Sequence, residues 1–195
     1  QLAAMPAGGK FIMTVPKAPY RCPPGPYERA CVVADYVKRN KPGSKVIVLD
    51  ANPAIVAEQH TFSTAFSQTY AGIVEYFPNV SVSQVDSINK IIHTSIGQLS
   101  AAVLNVIPDQ QAGKIVREAG LATDATLRWA PVNPLTYAST HYNDVHVIGD
   151  SQATRQPKSG HMASSQSKVC ADAILRLFSG RAPDRFTNGL SGGTR

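Results

Sequence analysis

The chain has 195 residues, of which 43% are hydrophobic and 16% are charged. This composition excludes a disordered, highly charged chain, and the 14 glycines and 14 prolines lack the periodicity of a fibrous protein. No apolar run reaches the ~20 residues of a membrane-spanning helix, so we expect no membrane span. Three cysteines are too few for a disulfide scaffold, and their odd number predicts at least one free thiol or an intermolecular partner.

The basic residues are concentrated at the start of the chain. The net charge is +6, and only Glu28 and Asp35 oppose the early cluster, which comprises Lys10, Lys17, Arg21, Arg29, Lys38, Arg39, Lys41 and Lys45. This pattern fits either a solvated basic face or a patch that attracts an acidic partner. Because the cluster lacks interleaved aromatic residues and a recognition helix, we expect no nucleic-acid binding.

The first elements in chain order predict a βαβ unit. A short apolar strand, Lys10–Val15, precedes a proline-rich loop over residues 16–26, which is too stiff for a helix. Helical spacing of apolar residues begins at Tyr27 and ends near Asn40. The strand Lys45–Asp50 is apolar on both faces, which is typical of a parallel sheet covered on both sides.

The middle of the chain has weaker patterns. Residues 58–75 show weak helical periodicity, and residues 80–85 and 88–93 predict two antiparallel strands joined by a turn. Residues 102–107 predict a buried strand that ends at Pro108, and residues 112–119 predict a short helix. Strands alternating with helices in this way indicate an α/β fold with a parallel sheet.

The C-terminal part predicts another strand and a long helix. Residues 145–150 have the pattern of a buried strand that ends in Gly149-Asp150, and a helix is expected from about His161 to Phe178. The residues from Arg181 are rich in glycine, serine and threonine and predict a loose tail over 181–195.

Cys22 is a candidate reactive group. It precedes a predicted helix and is flanked by Arg21 and, seven residues further along, by Arg29. Positive charge and a helix N-terminus stabilise a thiolate, so Cys22 is a candidate nucleophile or redox group, and Glu28 is a candidate proton carrier beside it. The alternative is that Cys22 is a small buried residue in a stiff loop.

The Gly149-Asp150 ending marks a candidate cofactor site. Ligands of open α/β folds bind at the carboxyl ends of parallel strands, where Gly149 and Asp150 are expected. The segment Lys158, Ser159, Gly160 and His161 leads into the last helix, whose free N–H groups can meet a flavin carbonyl, while Lys158 adds positive charge. The alternative is an ordinary helix start with Ser159 as its N-cap.

Two other kinds of site are not expected. The loop after the first strand lacks Gly-x-Gly-x-x-Gly, so it predicts a dinucleotide-type scaffold that has lost affinity for nicotinamide nucleotides. Asp50 ends the second strand at the position where a carboxylate meets a ribose hydroxyl in such folds. The five histidines and three cysteines show no metal-ligand spacing, so we expect no metal site.

Several motifs together resemble one flavoprotein family. The segment Ala-Pro-Tyr-Arg-Cys-Pro-Pro-Gly-Pro-Tyr-Glu-Arg over residues 18–29 resembles the flavoprotein subunit of flavocytochrome c sulfide dehydrogenase, which is related to sulfide:quinone oxidoreductases. Further similarity lies in Asn-Val-Ile-Pro at 105–108, His-Val-Ile-Gly-Asp at 146–150 and Pro-Lys-Ser-Gly at 157–160. These motifs stand in the family's order over most of residues 8–180.

The resemblance implies an α/β fold with a Rossmann-like parallel-sheet domain and part of a second, FAD-type domain. Residues 1–105 are expected to form a degenerate nicotinamide-type domain, and residues 106–180 the second half of the FAD-binding domain. The N-terminal half of the FAD domain and the family's C-terminal domain have no counterpart in the sequence, which implies a fragment.

The resemblance also implies an activity. It assigns Cys22 as the thiol that receives the sulfur of sulfide, Glu28 as its acid–base partner, Asp150 as a ligand of the FAD ribityl chain, and residues 158–161 as neighbours of the flavin ring. The expected function is an FAD-dependent enzyme subunit that oxidises sulfide in the periplasm and passes electrons to a c-type cytochrome subunit.

One departure bears directly on this activity. The family pattern Trp-Cys-Pro-Val supplies a redox partner for the loop cysteine, but this chain has Trp-Ala-Pro-Val, with Ala130 in place of the cysteine. Cys31 and Cys170 do not match that motif. The alternative function is therefore a flavin-free α/β module that binds a partner or a small sulfur ligand without catalysis.

Overall fold

Seven strands and four helices make up the computed structural model, which describes residues 1–184. In chain order they are β1 (Lys10–Val15), α1 (Gly25–Asn40), β2 (Lys45–Asp50), α2 (Gln59–Thr64), β3 (Val74–Phe77), β4 (Val82–Asp86), β5 (Ile91–Thr94), β6 (Gly97–Ser100), β7 (Val103–Asn105), α3 (Lys114–Glu118) and α4 (Gly160–Phe178). The residues separate into two compact units, one formed by residues 1–18 and 23–109 and the other by residues 19–22 and the chain from Gln110.

A parallel sheet of order β3-β2-β1-β7 forms the centre of the first unit. The predicted strands β1 and β2 are confirmed with the expected bounds, and Ile12 is paired with Ile47 in their register. Both strands are buried almost throughout, as expected for parallel strands covered on both faces. The α/β fold class with a Rossmann-like parallel sheet is thereby confirmed.

Helix α1 connects β1 to β2 and packs on both strands. It begins two residues before the predicted Tyr27, because Pro26 is compatible with the first turn of a helix, where no N–H bond is needed. Its buried residues Ala30, Val33, Ala34 and Val37 form the predicted apolar face. Glu28 in its first turn and Lys38 with Arg39 in its last turn complement the helix dipole.

An antiparallel meander of order β4-β5-β6 lies between β3 and β7 in the chain. The predicted antiparallel pair is confirmed by β4 and β5, with bounds shifted by one to three residues, and β6 was not predicted. Ile92 of the meander and Val80 share a core cluster with Ile12, Ile47 and Leu49 of the parallel sheet. This cluster closes one face of the sheet.

The prediction of a helix over residues 58–75 is only partly correct. Helix α2 and a π-helical turn at Ala65–Thr69 replace it, and the chain turns before β3 begins at Val74. Strand β3 lies at the edge of the sheet and is only partly buried, so its short sequence carries no strong apolar signal. The predicted strand 102–107 is confirmed only over β7, and the helix 112–119 only over α3.

The second unit packs helix α4 against irregular, mostly extended segments. Isolated bridges join these segments, among them Ala130 with Gln152, Val132 with Ser139, and Ala138 with His146. Their core consists of Leu121, Ala130, Val132, Tyr137, Val147, Val169 and Cys170. The predicted last helix is confirmed and begins at Gly160, one residue earlier than expected.

The prediction of a buried strand over residues 145–150 is wrong. Only Val147 is buried in this segment, and Ile148 is 39% exposed. Gly149 has φ +70°, which ends any extended conformation, and Gly149–Ser151 form a 3₁₀ turn. His146 therefore takes part in an isolated bridge instead of a strand.

The assignment of the two units to nicotinamide-type and FAD-type domains stays a prediction. The boundary between the units falls after Asp109, whereas the sequence placed it after residue 105. Residues 185–195 of the predicted tail lie outside the described residues.

Candidate functional site

Cys22 lies on a short segment of the proline-rich loop that belongs to the second unit. Its backbone N–H donates to the carbonyl of Lys158 at 2.7 Å, and Arg21 forms a parallel bridge with Lys158. The residue is exposed, so the alternative of a buried structural cysteine is wrong. Its φ of +51° lies in the left-handed region, which side chains with a Cβ rarely adopt. Such strain persists only where the surrounding structure fixes the backbone.

The two arginines expected near the thiol are held by other partners. The Arg21 guanidinium donates to the carbonyl of Gln111 at 3.0 Å and forms an ion pair with Asp150, Nε to Oδ2 at 3.2 Å. Arg29 donates to the side-chain oxygen of Asn105 at 3.0 Å. Both guanidinium groups therefore donate to groups other than the Cys22 thiol.

Glu28 is exposed in the first turn of α1, within the first unit. Its carboxylate influences a different thiol from the one the sequence suggested. Burial raises the pKa of the half-buried Cys31 thiol, and the charge of Glu28, three residues earlier on the same helix, raises it further. A role for Glu28 beside Cys22 stays a prediction.

Gly149 and Asp150 lie in the 3₁₀ turn, where the backbone amide and the acidic side chain have separate partners. The Gly149 N–H donates to the side-chain oxygen of Gln166 on α4 at 2.7 Å. The Asp150 side chain is 33% exposed, so its carboxylate can still accept from hydroxyl groups of a ligand while it pairs with Arg21. The structure therefore leaves Asp150 available for the role implied by the family.

Lys158 is buried, which the sequence did not indicate. Its Nζ donates to the carbonyl of Asp150 at 2.9 Å and to the carbonyl of Gln152, and it lies 3.9 Å from the centre of the Trp129 ring. Burial lowers the pKa of Lys158 to about 8, although the Asp150 carboxylate opposes this effect. Near neutral pH the site therefore holds a cation that readily loses its proton.

Residues Ser159, Gly160 and His161 form the start of α4. The Ser159 side chain accepts from the N–H of Met162 at 3.3 Å, so the predicted N-cap is present. Gly160 and His161 are exposed, and a Cβ at Gly160 would meet no atom within 4 Å. The first N–H groups of this helix have no intrahelical partner. They can donate to a ligand that occupies the open space in front of Gly160.

The sequence analysis missed Trp129 and Gln152. Both side chains are almost completely buried, and among the described residues Trp129 Nε1 and Gln152 Nε2 have no hydrogen-bond partner. They surround Lys158, which contacts the ring of one and the carbonyl of the other. That Trp129 is the single tryptophan of the chain was the only feature of the sequence that could have drawn attention to it. No feature of the sequence distinguished Gln152.

Ala130 is fully buried beside these residues. Its N–H donates to the carbonyl of Ser151 at 2.9 Å, and its carbonyl accepts from Ala153 at 2.7 Å. All three cysteines are free thiols. Cys22 therefore has no disulfide partner within the chain.

Asp50 has no free carboxylate for a ribose. It is completely buried and accepts from the hydroxyls of Tyr27 at 2.7 Å and Tyr76 at 2.9 Å, and from Asn52 at 2.8 Å. Tyr27 lies in the first turn of α1, where nucleotide-binding loops carry small residues. This packing supports the expected loss of affinity for nicotinamide nucleotides.

A flavin fits the donors and acceptors that the second unit presents. The exposed part of the Asp150 carboxylate suits ligand hydroxyls, and the N–H groups at Gly160 and His161 suit a ring carbonyl, with open space in front of Gly160. The sequence contains no Gly-x-Gly-x-x-Gly segment for the diphosphate. Among residues 1–184, no group of three or more potential metal ligands is found, and no helix has the length and apolarity to cross a membrane.

The α/β fold is similar to that of several solved chains. A chain of the Tetrahymena thermophila mitochondrial ATP synthase is similar with a TM-score of 0.71 and 16% identity, covering 94% of this chain and 46% of that one. The HOCl-induced flavoprotein disulfide reductase RclA of Escherichia coli has a TM-score of 0.57 at 15% identity, with coverage of 88% and 41%. Reduced Bacillus anthracis CoADR-RHD has a TM-score of 0.54 at 15% identity, with coverage of 85% and 29%.

These low identities show a common fold and nothing more, and the chain spans less than half the length of each of these proteins. The family is shown by the sequence itself. Residues 1–108, more than half of the chain, match the family described as "Sulfide dehydrogenase [flavocytochrome c] flavoprotein chain, central". The chain belongs to this family, which confirms the resemblance found in the sequence.

Proposed function

We propose that this chain is part of an FAD-dependent subunit that oxidises sulfide in the periplasm and transfers the electrons to a c-type cytochrome. The match of residues 1–108 to the flavoprotein chain of sulfide dehydrogenase carries the proposal, because it includes the cysteine loop. The donors and acceptors of Asp150 and the start of α4 support a flavin site. The early basic cluster offers a surface for docking the cytochrome.

In this proposal each residue has a limited task. Asp150 holds ligand hydroxyls, the N–H groups of Gly160 and His161 hold a ring carbonyl, and Lys158 adds positive charge behind them. Bound FAD supplies a two-electron acceptor that can release electrons one at a time. Cys22 presents an exposed thiol for sulfide chemistry.

The sulfur step balances without a second cysteine in the chain. The Cys22 thiolate and hydrosulfide form one sulfur–sulfur bond, which gives a persulfide anion, one proton and two electrons. The proton would leave with solvent or Glu28, and a bound flavin would supply the acceptor for the electron pair. Ala130 removes the alternative in which hydrosulfide opens a disulfide between Cys22 and a residue at that position.

Two measurements test the proposal. Purified protein is incubated with FAD and desalted, and its spectrum is expected to retain a flavin band at about 450 nm. Reduction of a c-type cytochrome is then followed with added sulfide, comparing Cys22→Ser with Cys170→Ser, since Cys170 is buried and serves as a matched control. Loss of reduction in Cys22→Ser alone supports the proposal.

Three outcomes contradict the proposal in whole or in part. Absence of a flavin band together with absence of sulfide-dependent reduction favours the flavin-free binding module. Equal reduction by the parent and Cys22→Ser excludes Cys22 as the sulfur acceptor. Asp150→Asn that binds FAD as tightly as the parent excludes Asp150 as a ligand of the cofactor.

A further inference from the structure

A buried polar cluster lies at the two ends of the loop that carries Cys22. Asp50, Tyr27 and Asn52 are each at most 2% exposed. Asp50 Oδ2 accepts from the Tyr27 hydroxyl at 2.7 Å, and Asp50 Oδ1 accepts from the Asn52 side chain at 2.8 Å. These groups belong to the first unit.

Asn52 holds the start of the loop. Its Nδ2 donates to the carbonyl of Pro16 at 3.0 Å, and its Oδ1 accepts from the N–H of Ala18 at 3.0 Å. The backbone N–H of Asn52 also donates to Asp50 at 2.8 Å. Asp50 therefore fixes the orientation of the amide that binds both loop residues.

Tyr27 holds the end of the loop. It lies in the first turn of α1, five residues after Cys22, and its hydroxyl bonds to Asp50 and accepts from the N–H of Val56 at 3.2 Å. Its ring packs against Phe62 with centroids 5.5 Å apart. Both ends of the loop thus depend on one carboxylate.

We propose that Asp50 and Asn52 are positioning residues for the cysteine loop: the carboxylate that ends β2, in place of binding a ribose, fixes the two points at which the first unit holds the loop and so limits the motion of the segment that carries Cys22. This inference rests on the proposed function only for the use of the thiol.

The test compares three variants. Tyr27→Phe removes the hydroxyl at the loop end but keeps the ring, and Asn52→Ala removes both bonds at the loop start. Tyr76→Phe is the matched control, because the Tyr76 hydroxyl donates to the same Asp50 oxygen at 2.9 Å but lies on β3, away from the loop.

The first readout is limited trypsin cleavage of the native protein, followed by mass spectrometry. Cleavage after Lys17 and Arg21 in the loop is measured relative to cleavage after Lys45, which begins β2 and reports opening of the sheet. We expect this ratio to rise at least about fivefold in Tyr27→Phe and Asn52→Ala. In these variants the loop can open locally without first breaking the hydrogen bonds that the substitution has removed, so opening costs less free energy. In Tyr76→Phe the ratio is expected to stay at the parent value.

The second readout is the pH profile of Cys22 alkylation by iodoacetamide, which a purely stabilising role would not move. The profile is expected to shift in the two loop variants and to superimpose on the parent in Tyr76→Phe, because thiolate fraction depends on local backbone dipoles and charges. Equal effects in all three variants, or no effect in any, overturn the inference. Neither readout uses flavin or sulfide, so failure of the sulfide assay with these results intact would refute only the proposed function.

Discussion

The buried Lys158 gives the sharpest quantitative prediction. Its pKa falls from the ordinary 10.5 to about 8 because burial disfavours the charged form. Because the pKa of Lys158 is lower in the folded than in the unfolded protein, keeping the amine protonated in the folded state costs stability. This loss of stability is fully present below about pH 8, where the amine is protonated in both states. Stability is therefore expected to rise as the pH increases from about 8 to about 10.5.

The magnitude follows from the pKa change. A fall from 10.5 to about 8 corresponds to about 3 kcal/mol of lost stability at pH 7 relative to a neutral side chain. Between pH 7 and pH 9.5, about 2 kcal/mol of this loss should disappear. The two hydrogen bonds that Lys158 Nζ donates offset part of this loss of stability at every pH. The change with pH is therefore more informative than the absolute difference.

The assay uses Lys158→Met and urea unfolding at several pH values. Trp129 is the only tryptophan and lies 3.9 Å from Lys158 Nζ, so its fluorescence reports unfolding of the second unit. The free energy of unfolding of Lys158→Met minus that of the parent should shrink by about 2 kcal/mol from pH 7 to pH 9.5. Other titrating groups cancel in this difference.

A direct titration and a control complete the experiment. The fluorescence of native Trp129 should change with a midpoint near pH 8 in the parent and lose this step in Lys158→Met, since the nearby cation perturbs the ring. Lys168→Met, on the exposed side of α4, should show a difference that does not vary with pH. A flat difference for Lys158→Met, with no fluorescence step, would refute the reasoning about burial.

Three further predictions concern backbone conformation and thiol acidity. Gly149→Ala should lower stability by about 1 to 2 kcal/mol in urea unfolding because φ is +70°, whereas Gly160→Ala should be nearly neutral; equal effects would contradict the left-handed assignment. Cys22→Gly should be about 0.5 to 1 kcal/mol more stable than Cys22→Ala, while at Cys31, inside a helix, the order should reverse. Glu28→Gln should lower the pKa of Cys31 and speed its alkylation near neutral pH, and an unchanged rate would show that Glu28 does not act on this thiol.

The strongest local patterns predicted their strands and helix correctly. Strands β1 and β2 and the apolar face of α1 follow from continuous apolar runs and from helical spacing, because burial on both faces leaves few alternatives. The short edge strand β3 and the third meander strand β6 were missed, since half-exposed segments of four residues carry little periodicity. The segment 145–150 looked like a strand, but the positive φ of Gly149 turns the chain there.

For the candidate site as well, local motifs predicted some features, whereas contacts between distant residues could not be predicted. The motif over residues 18–29 identified the family, and the family match confirms this. The sequence marked Cys22, Asp150 and Lys158 as candidates but could not show that Arg21 pairs with Asp150 across 129 positions of chain. Such partners depend on long-range packing, which no local pattern encodes.

By itself the sequence determined the α/β class, the central strands and the family, because these depend on residue types at fixed short spacings. Only the tertiary structure decided the state of the charged groups. It buried Lys158 against Trp129 and lowered its pKa, and it turned the carboxylate of Asp50 from a candidate ribose ligand into the anchor of Tyr27 and Asn52. The physical reason is that burial and hydrogen-bond partners come from residues far apart in the chain, and these set what a charged side chain can do.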